Sequence, residues 1–168
     1  MTERTYWATR GGHPPQTDLL TDRAMFREAY AVIPRGTQRD IVTSYLPFWE
    51  DTRLWVLARP MTGFAETFSQ YLVEVAPGGG SDKPEDDPEA VLFVMEGSLE
   101  LTLGDEPGDG DTHELTPGGY AFIAPGETWT AHNRGGEHTR FMWIRKRYQK
   151  VAGIPKPESF VTNERDIE

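Results

Sequence analysis

Short apolar runs, each cut off by a turn rich in glycine, proline or aspartate, recur along nearly the whole chain and leave room for almost no helix. They fall at Ala29–Ile33, Ile41–Leu46, Leu54–Ala58, Gln70–Ala76, Ala90–Glu96, Ser98–Leu103, His113–Leu115, Tyr120–Ala124, Thr130–His132 and Arg140–Ile144. Between them stand "APGGG", "EPGDGD", "TPGG" and "APGE", whose glycines tolerate positive φ and whose prolines preset φ for tight turns. Only "LLTDRAMFREA" spaces its apolar residues as a helix would, and it is short. Many short strands joined by tight turns bury their apolar faces by packing two sheets together or by closing one sheet on itself. The expected fold class is therefore all-β, an antiparallel sandwich or barrel, most simply a jelly roll.

With 168 residues the chain can bury one sizeable core. Its expected organisation is an arm with strands over residues 1–60, a barrel over 61–150, and a polar, proline-bearing tail over 151–168 with no periodic apolar face, which reads as a linker. Pro77–Pro88, crowded with acids and prolines, reads as an exposed loop. A net charge of −10 repels phosphate backbones, so no nucleic-acid partner is expected. The basic cluster "RKRYQK", Arg145–Lys150, reads as a solvated strand end rather than an anion site. No run approaches the ~20 apolar residues of a spanning helix, so no membrane partner is expected. The first residues lack a secretory apolar stretch, and cysteine is absent, which excludes disulfides, thiolate metal sites and cysteine nucleophiles. Together these features point to the cytoplasm.

Two stretches, "EAVLFVMEGSLEL" and "GGYAFIAPGETWTAHN", carry a metal-site frame without its ligands. The cupin superfamily, which this chain resembles, has a first motif of Gly, five residues, His-x-His, three or four residues, Glu, six residues, Gly. Its second motif is Gly, five residues, Pro-x-Gly, two residues, His, three residues, Asn. Three imidazoles and a carboxylate from adjoining strands then meet on a divalent ion inside the barrel. In "EAVLFVMEGSLEL" the closing glycine is Gly97, which puts Ala90 where the Glu belongs and the His pair within Lys83–Asp86. In "GGYAFIAPGETWTAHN" the turn is Ala124-Pro125-Gly126, Trp129 stands at the His position, and Asn133 closes the motif. The turns are kept and the ligands are not, so no metal is expected in this chain.

Nearby residues do not replace those ligands. Glu89 and His132 fall on opposite strand faces from Ala90 and Trp129. An all-carboxylate calcium site from Glu85, Asp86 and Glu89 lacks the oxygen count calcium wants, and the turn Asp105–Asp111 reads as a solvated hairpin end. His13, His113, His132 and His138 form no ligand-spaced pair, no Ser-His-Asp arrangement can be drawn, and "APGGGSD" lacks the Lys and helix of a phosphate loop. Trp129 reads first as a core plug and second as a stacking wall for a small ligand, with Asn133 beside it. Trp129 and Asn133 are thus the candidate substrate-binding residues; catalytic candidates are absent.

A closer resemblance covers the chain from about Thr17 to Glu168. "LLTDRAMFREAYAVIPRG", "GFAETFSQYLVEVAPGGGSDKP", "EAVLFVMEGSLEL", "PGGYAFIAPGE" and "FMWIRKRYQKVAGIP" resemble the N-terminal half of the (S)-ureidoglycine aminohydrolases, formerly described as glyoxylate-induced or allantoin-catabolism cupin proteins. The resemblance implies a bicupin enzyme that converts (S)-ureidoglycine to (S)-ureidoglycolate and ammonia in purine degradation. It implies Mn2+ in the second cupin, held by Glu, two His and Gln, with none in this half. It further implies that the partner is that second cupin module, that the assembly is a homo-oligomer, and that the full-length enzyme takes a small ureide substrate. None of the metal ligands transfers to residues of this chain. The alternative is a stand-alone, metal-free cupin that binds a small ligand as a sensor or carrier; an unrelated metal-dependent single-cupin enzyme would need ligands the sequence lacks.

Overall fold

A computed structural model describes residues 25–26, 30–34, 44–59, 67–85, 88–104 and 110–167 of the chain. Eleven strands are described: β1 (Met25–Phe26), β2 (Ala31–Val32), β3 (Glu50–Ala58), β4 (Phe68–Glu85), β5 (Glu89–Glu96), β6 (Leu99–Leu103), β7 (Asp111–Leu115), β8 (Gly119–Ile123), β9 (Trp129–His132), β10 (Thr139–Lys146) and β11 (Phe160–Asn163). β1 and β2 pair with each other. The remaining nine join in the order β11-β8-β5-β10-β4-β9-β6-β7, with β3 on the other edge of the first part of β4, and every pairing is antiparallel. This is the all-β jelly roll expected from the sequence.

The long strand β4 runs through both halves of this nine-stranded sheet. Its first part, around Tyr71–Val75, pairs with β3 and β10, while Gly80, Ser81 and Glu85 pair with β9. The bend between them falls at "APGGG", where Gly78 and Gly80 take φ of 81° and 139°. Extended pairing thus continues into the segment expected to be an exposed loop. The cause is close packing of β9 over the glycines, since a Cβ on Gly80 would lie 2.7 Å from the Cα of His132. Pro77 and Gly78 are exposed before that contact, and Asp82 and Lys83 after it.

Alternation directs one side chain of every pair inward. Val73, Val75, Leu92, Val94, Leu101 and Ile123, with the aromatic rings described below, form one core between the two halves of the sheet. Each such side chain, fully buried, stabilises by about 1.5–3 kcal/mol. The sheet around β5 and β10 is apolar on its outer face as well. "VLFVM" (91–95) and "FMWI" (141–144) are continuous apolar runs, the pattern of strands covered on both sides. Trp55, Leu72 and Met95 are buried there as a second cluster, with Leu57 and Phe93 against it.

Two further differences from the sequence reading concern the ends. Met25–Phe26 lie in β1 rather than in a helix; the rest of the expected helix lies outside the described residues. The tail expected to be a linker carries β11, which pairs with β8 from Phe160↔Phe122 to Asn163↔Gly119. A single outward aromatic, Phe160, on the open edge of β8 fixes this strand, and four residues are too few to show a period. No helix among the described residues is long and apolar enough to cross a membrane.

Candidate functional site

The barrel interior, where the cupin pattern would place a metal, is occupied by aromatic rings. Trp129 on β9 is 2% exposed and its ring centroid lies 5.2 Å from that of Trp143 on β10, edge to face. Trp49 enters from the segment before β3, with centroids 6.2 Å from Trp129, 5.8 Å from Trp143 and 6.4 Å from Phe141. These spacings and tilts suit quadrupole–quadrupole packing, which adds about 0.5–1.5 kcal/mol per pair beyond burial. Trp49 reaches the interior because the chain around it is sharply turned: Phe48 and Asp51 adopt φ of 68° and 44°. Phe48 itself is exposed, with the ammonium of Lys83 3.7 Å over its ring.

Ala90 is buried in the core, one residue from Glu89, which turns to the other face and lies 4.0 Å from Lys146. Trp129 is opposite Glu85 in the β4–β9 register; the side chain of Glu85, and Asp86 altogether, lie outside the described residues. Asn133 is fully buried just beyond β9. Its amide donates to the carbonyls of Val75 (3.0 Å) and Glu137 (2.7 Å), and its Oδ1 accepts from the N–H of Gly135 (2.9 Å). Its main chain clasps the β4 bend as well: Gly78 N–H donates to the Asn133 carbonyl, and Asn133 N–H donates to that of Gly79, both at 2.9 Å. The structure brings Trp129 into the ring cluster and commits Asn133 to the two bends on either side of it.

His132, three residues after Trp129, lies on the opposite face and meets Asp82 at 2.9 Å. His138 is exposed, His113 sits on β7, and His13 and most of the turn Asp105–Asp111 lie outside the described residues. Among the described residues no three His, Cys, Asp or Glu side chains come together in a group that could hold a metal ion. With an alanine and an indole packed into the core at two ligand positions, the described interior does not fit a divalent cation.

Residues 71–145 fit the model described as Cupin domain. The chain carries a cupin domain. Around that cupin, the chain is similar to the (S)-ureidoglycine aminohydrolase of Escherichia coli K12, 27% identical over 139 residues that make up 81% of this chain and 49% of that one. It is similar also to the Arabidopsis thaliana (S)-ureidoglycine aminohydrolase, 31% identical over 103 residues, 61% of this chain and 32% of that one. Among solved structures, the Pseudomonas aeruginosa protein described as glyoxylate induced superposes with a TM-score of 0.79 at 62% identity, over 99% of this chain and 59% of that chain. The cupin chain thus spans between a third and about half the length of these two curated relatives.

Two residues of this cupin escaped the sequence reading. Trp49 lies outside both cupin motifs, and no spacing rule connects it to them. Arg145 reads in sequence as part of a basic strand end, yet period two along Phe141, Trp143 and Arg145 places it on the inner face. Its guanidinium carbon lies 4.8 Å from the Trp143 ring centroid.

Proposed function

We propose that this chain is the N-terminal, metal-free cupin half of an (S)-ureidoglycine aminohydrolase, the enzyme that releases ammonia from (S)-ureidoglycine to give (S)-ureidoglycolate. The observation that carries the reading is the match of most of this chain to about half of the E. coli (S)-ureidoglycine aminohydrolase. The role assigned to this half is structural. Its interior is filled with rings rather than ligands, and its outer sheet face is apolar from Phe160 through Phe122 and Val91 to Ile144 and Met142. An apolar face of that kind is suited to pack on the second cupin module and to build a homo-oligomer. In this reading the second module supplies Mn2+ and takes the ureide substrate, and the enzyme works in the cytoplasm.

The experiment is an ammonia-release assay with (S)-ureidoglycine and Mn2+. The isolated 168 residues are expected to give no turnover above the uncatalysed rate, and an extension by a second cupin bearing Glu, two His and Gln to restore it. Manganese-dependent turnover by the 168-residue chain alone would overturn this division of roles.

A further inference from the structure

Where β3 begins beside the bend of β4, the chain borders a cleft of about 350 Å³. That volume is in the range of small-molecule sites. Asp51, Thr52 and Arg53 of β3 line it, with buried Glu74 of β4 and exposed His138 from the turn before β10. Three consecutive residues of a regular strand would not all border one cleft, because alternate side chains leave on opposite faces. Here the register breaks: Glu50 stands opposite Gly80, and Thr52 opposite Val75. Asp51 sits in that irregularity with φ of 44°, and such a break re-aims side chains. The conformation is held from behind, since a Cβ on Gly79 would lie 3.0 Å from that of Asp51. Left-handed backbone at a residue with a side chain persists only where its surroundings fix it, and it clusters at ligand clamps.

A second observation concerns the charged groups. Arg53 holds Oε1 of Glu74 with Nε at 2.7 Å and Nη2 at 2.5 Å, and its guanidinium carbon lies 5.3 Å from the Trp55 ring centroid. Arg140 Nε holds the other oxygen at 2.6 Å. The charge of Glu74 is thus matched inside the fold, and the Arg53 guanidinium is fixed on two sides before any ligand arrives. Its Nη1 has no partner among the described residues, and neither has the Asp51 carboxylate. A guanidinium already held in place loses little freedom on binding, so its remaining N–H groups are inexpensive donors. A carboxylate acceptor and a fixed cationic donor therefore stand two residues apart on the border of one cleft. The ligand complementary to both carries an ammonium and a carboxylate on a short skeleton.

We propose that this cleft binds a small zwitterionic amino acid, its ammonium on Asp51 and its carboxylate on Arg53 and His138. The site stands apart from the Trp129–Asn133 interior and does not rest on pairing with a second module.

The test uses the full 168-residue chain and follows the His138 ring and the backbone amides of Asp51, Thr52 and Arg53 by NMR. Glycine is added at constant ionic strength, with sodium acetate and methylammonium chloride, its two charged halves, as parallel titrants. Glycine is expected to shift these resonances saturably, with a millimolar Kd at least tenfold below that of either half. Asp51→Asn keeps the side-chain shape and tolerates the same φ, and it is expected to weaken glycine binding about tenfold, the loss of one charge-assisted contact. Should that variant fail to fold, His138→Gln, at an exposed position, is expected to weaken binding severalfold with unchanged spectra elsewhere. Non-saturating shifts, or undiminished affinity in the folded variant, would overturn the site; acetate or methylammonium binding as tightly as glycine would overturn the zwitterion class. Neither result bears on ammonia release by a two-module enzyme, so the two readings fail separately.

Discussion

Gly97 and Gly126 look alike in sequence, each closing a turn of a cupin motif, and both take positive φ, 73° and 74°. Their surroundings differ. A Cβ on Gly97 would stand 2.6 Å from the carbonyl oxygen of His138, whereas nothing lies within 4 Å of one on Gly126. Gly126→Ala is therefore expected to cost only the left-handed backbone strain, about 1 kcal/mol, and Gly97→Ala about 3 kcal/mol because main chain must also move. Chemical denaturation of the two variants checks the contrast. Glu74 supplies the pH dependence. It is 3% exposed on the outer face, with Arg53 Nη2 at 2.5 Å and Arg140 Nε at 2.6 Å; Arg140 also reaches Glu96 at 3.0 Å. Burial pushes its carboxyl pKa up, but the hydrogen bonds and charges of Arg140 and Arg53 outweigh burial and hold it below the ordinary 4.5. A folded-state pKa below the unfolded one stabilises the fold above the unfolded value, and that contribution fades as pH falls through the folded value. Glu74→Gln is expected to cost about 2 kcal/mol near neutrality, with the gap to the unaltered chain closing below about pH 4 in a series of thermal melts.

At the scale of elements, the strand that sequence reasoning placed in a linker makes the sharpest case. Phe160 of β11 is half-exposed, yet it stacks on Tyr120 at 5.7 Å and Phe122 at 5.8 Å, both from the neighbouring β8. Ser159 adds hydrogen bonds at the start of the strand, accepting from the Ala124 N–H at 2.8 Å and donating to Glu127. Phe160→Ala is expected to lower stability by about 1 kcal/mol. Ending the chain at Lys150 removes the whole strand and leaves β8 an open edge. Amide exchange along β8 should then accelerate severalfold at positions that faced β11 and stay unchanged along β6, and equal protection in both chains would show that β11 contributes nothing to β8. The strand was illegible because its partner is supplied only in the fold: four residues with one aromatic carry no period, and they become a strand by docking on an edge.

For the molecule as a whole, the sheet around β10 is apolar on both sides, and one side already faces the core. Met142, Ile144, Val91 and Phe122 are each only partly covered on the other. An unsatisfied apolar face drives association in water, so the isolated chain is expected to self-associate at micromolar concentration. Ile144→Lys combined with Phe122→Lys should weaken that association at least tenfold in sedimentation, since each cation must be desolvated to remain in the contact. The inner face should be untouched, and an unchanged near-ultraviolet spectrum of the tryptophan cluster would verify that. If the unaltered chain stays monomeric throughout, the outer face is not an association surface.

Period-two alternation and turn chemistry made the all-β jelly roll legible in the residues themselves, because both are local and need only neighbours along the chain. The cupin frame at Gly97 and Ala124-Pro125-Gly126 was legible for the same reason, as was the alanine and tryptophan at its ligand positions. What fills the barrel was not. Trp49 comes from outside the motifs, Arg145 gains its place from the strands flanking β10, and Asn133 serves carbonyls from Val75 and Glu137, 58 and 4 residues away. Such meetings depend on which strands become neighbours, and strand neighbours are chosen by the packing of the complete core.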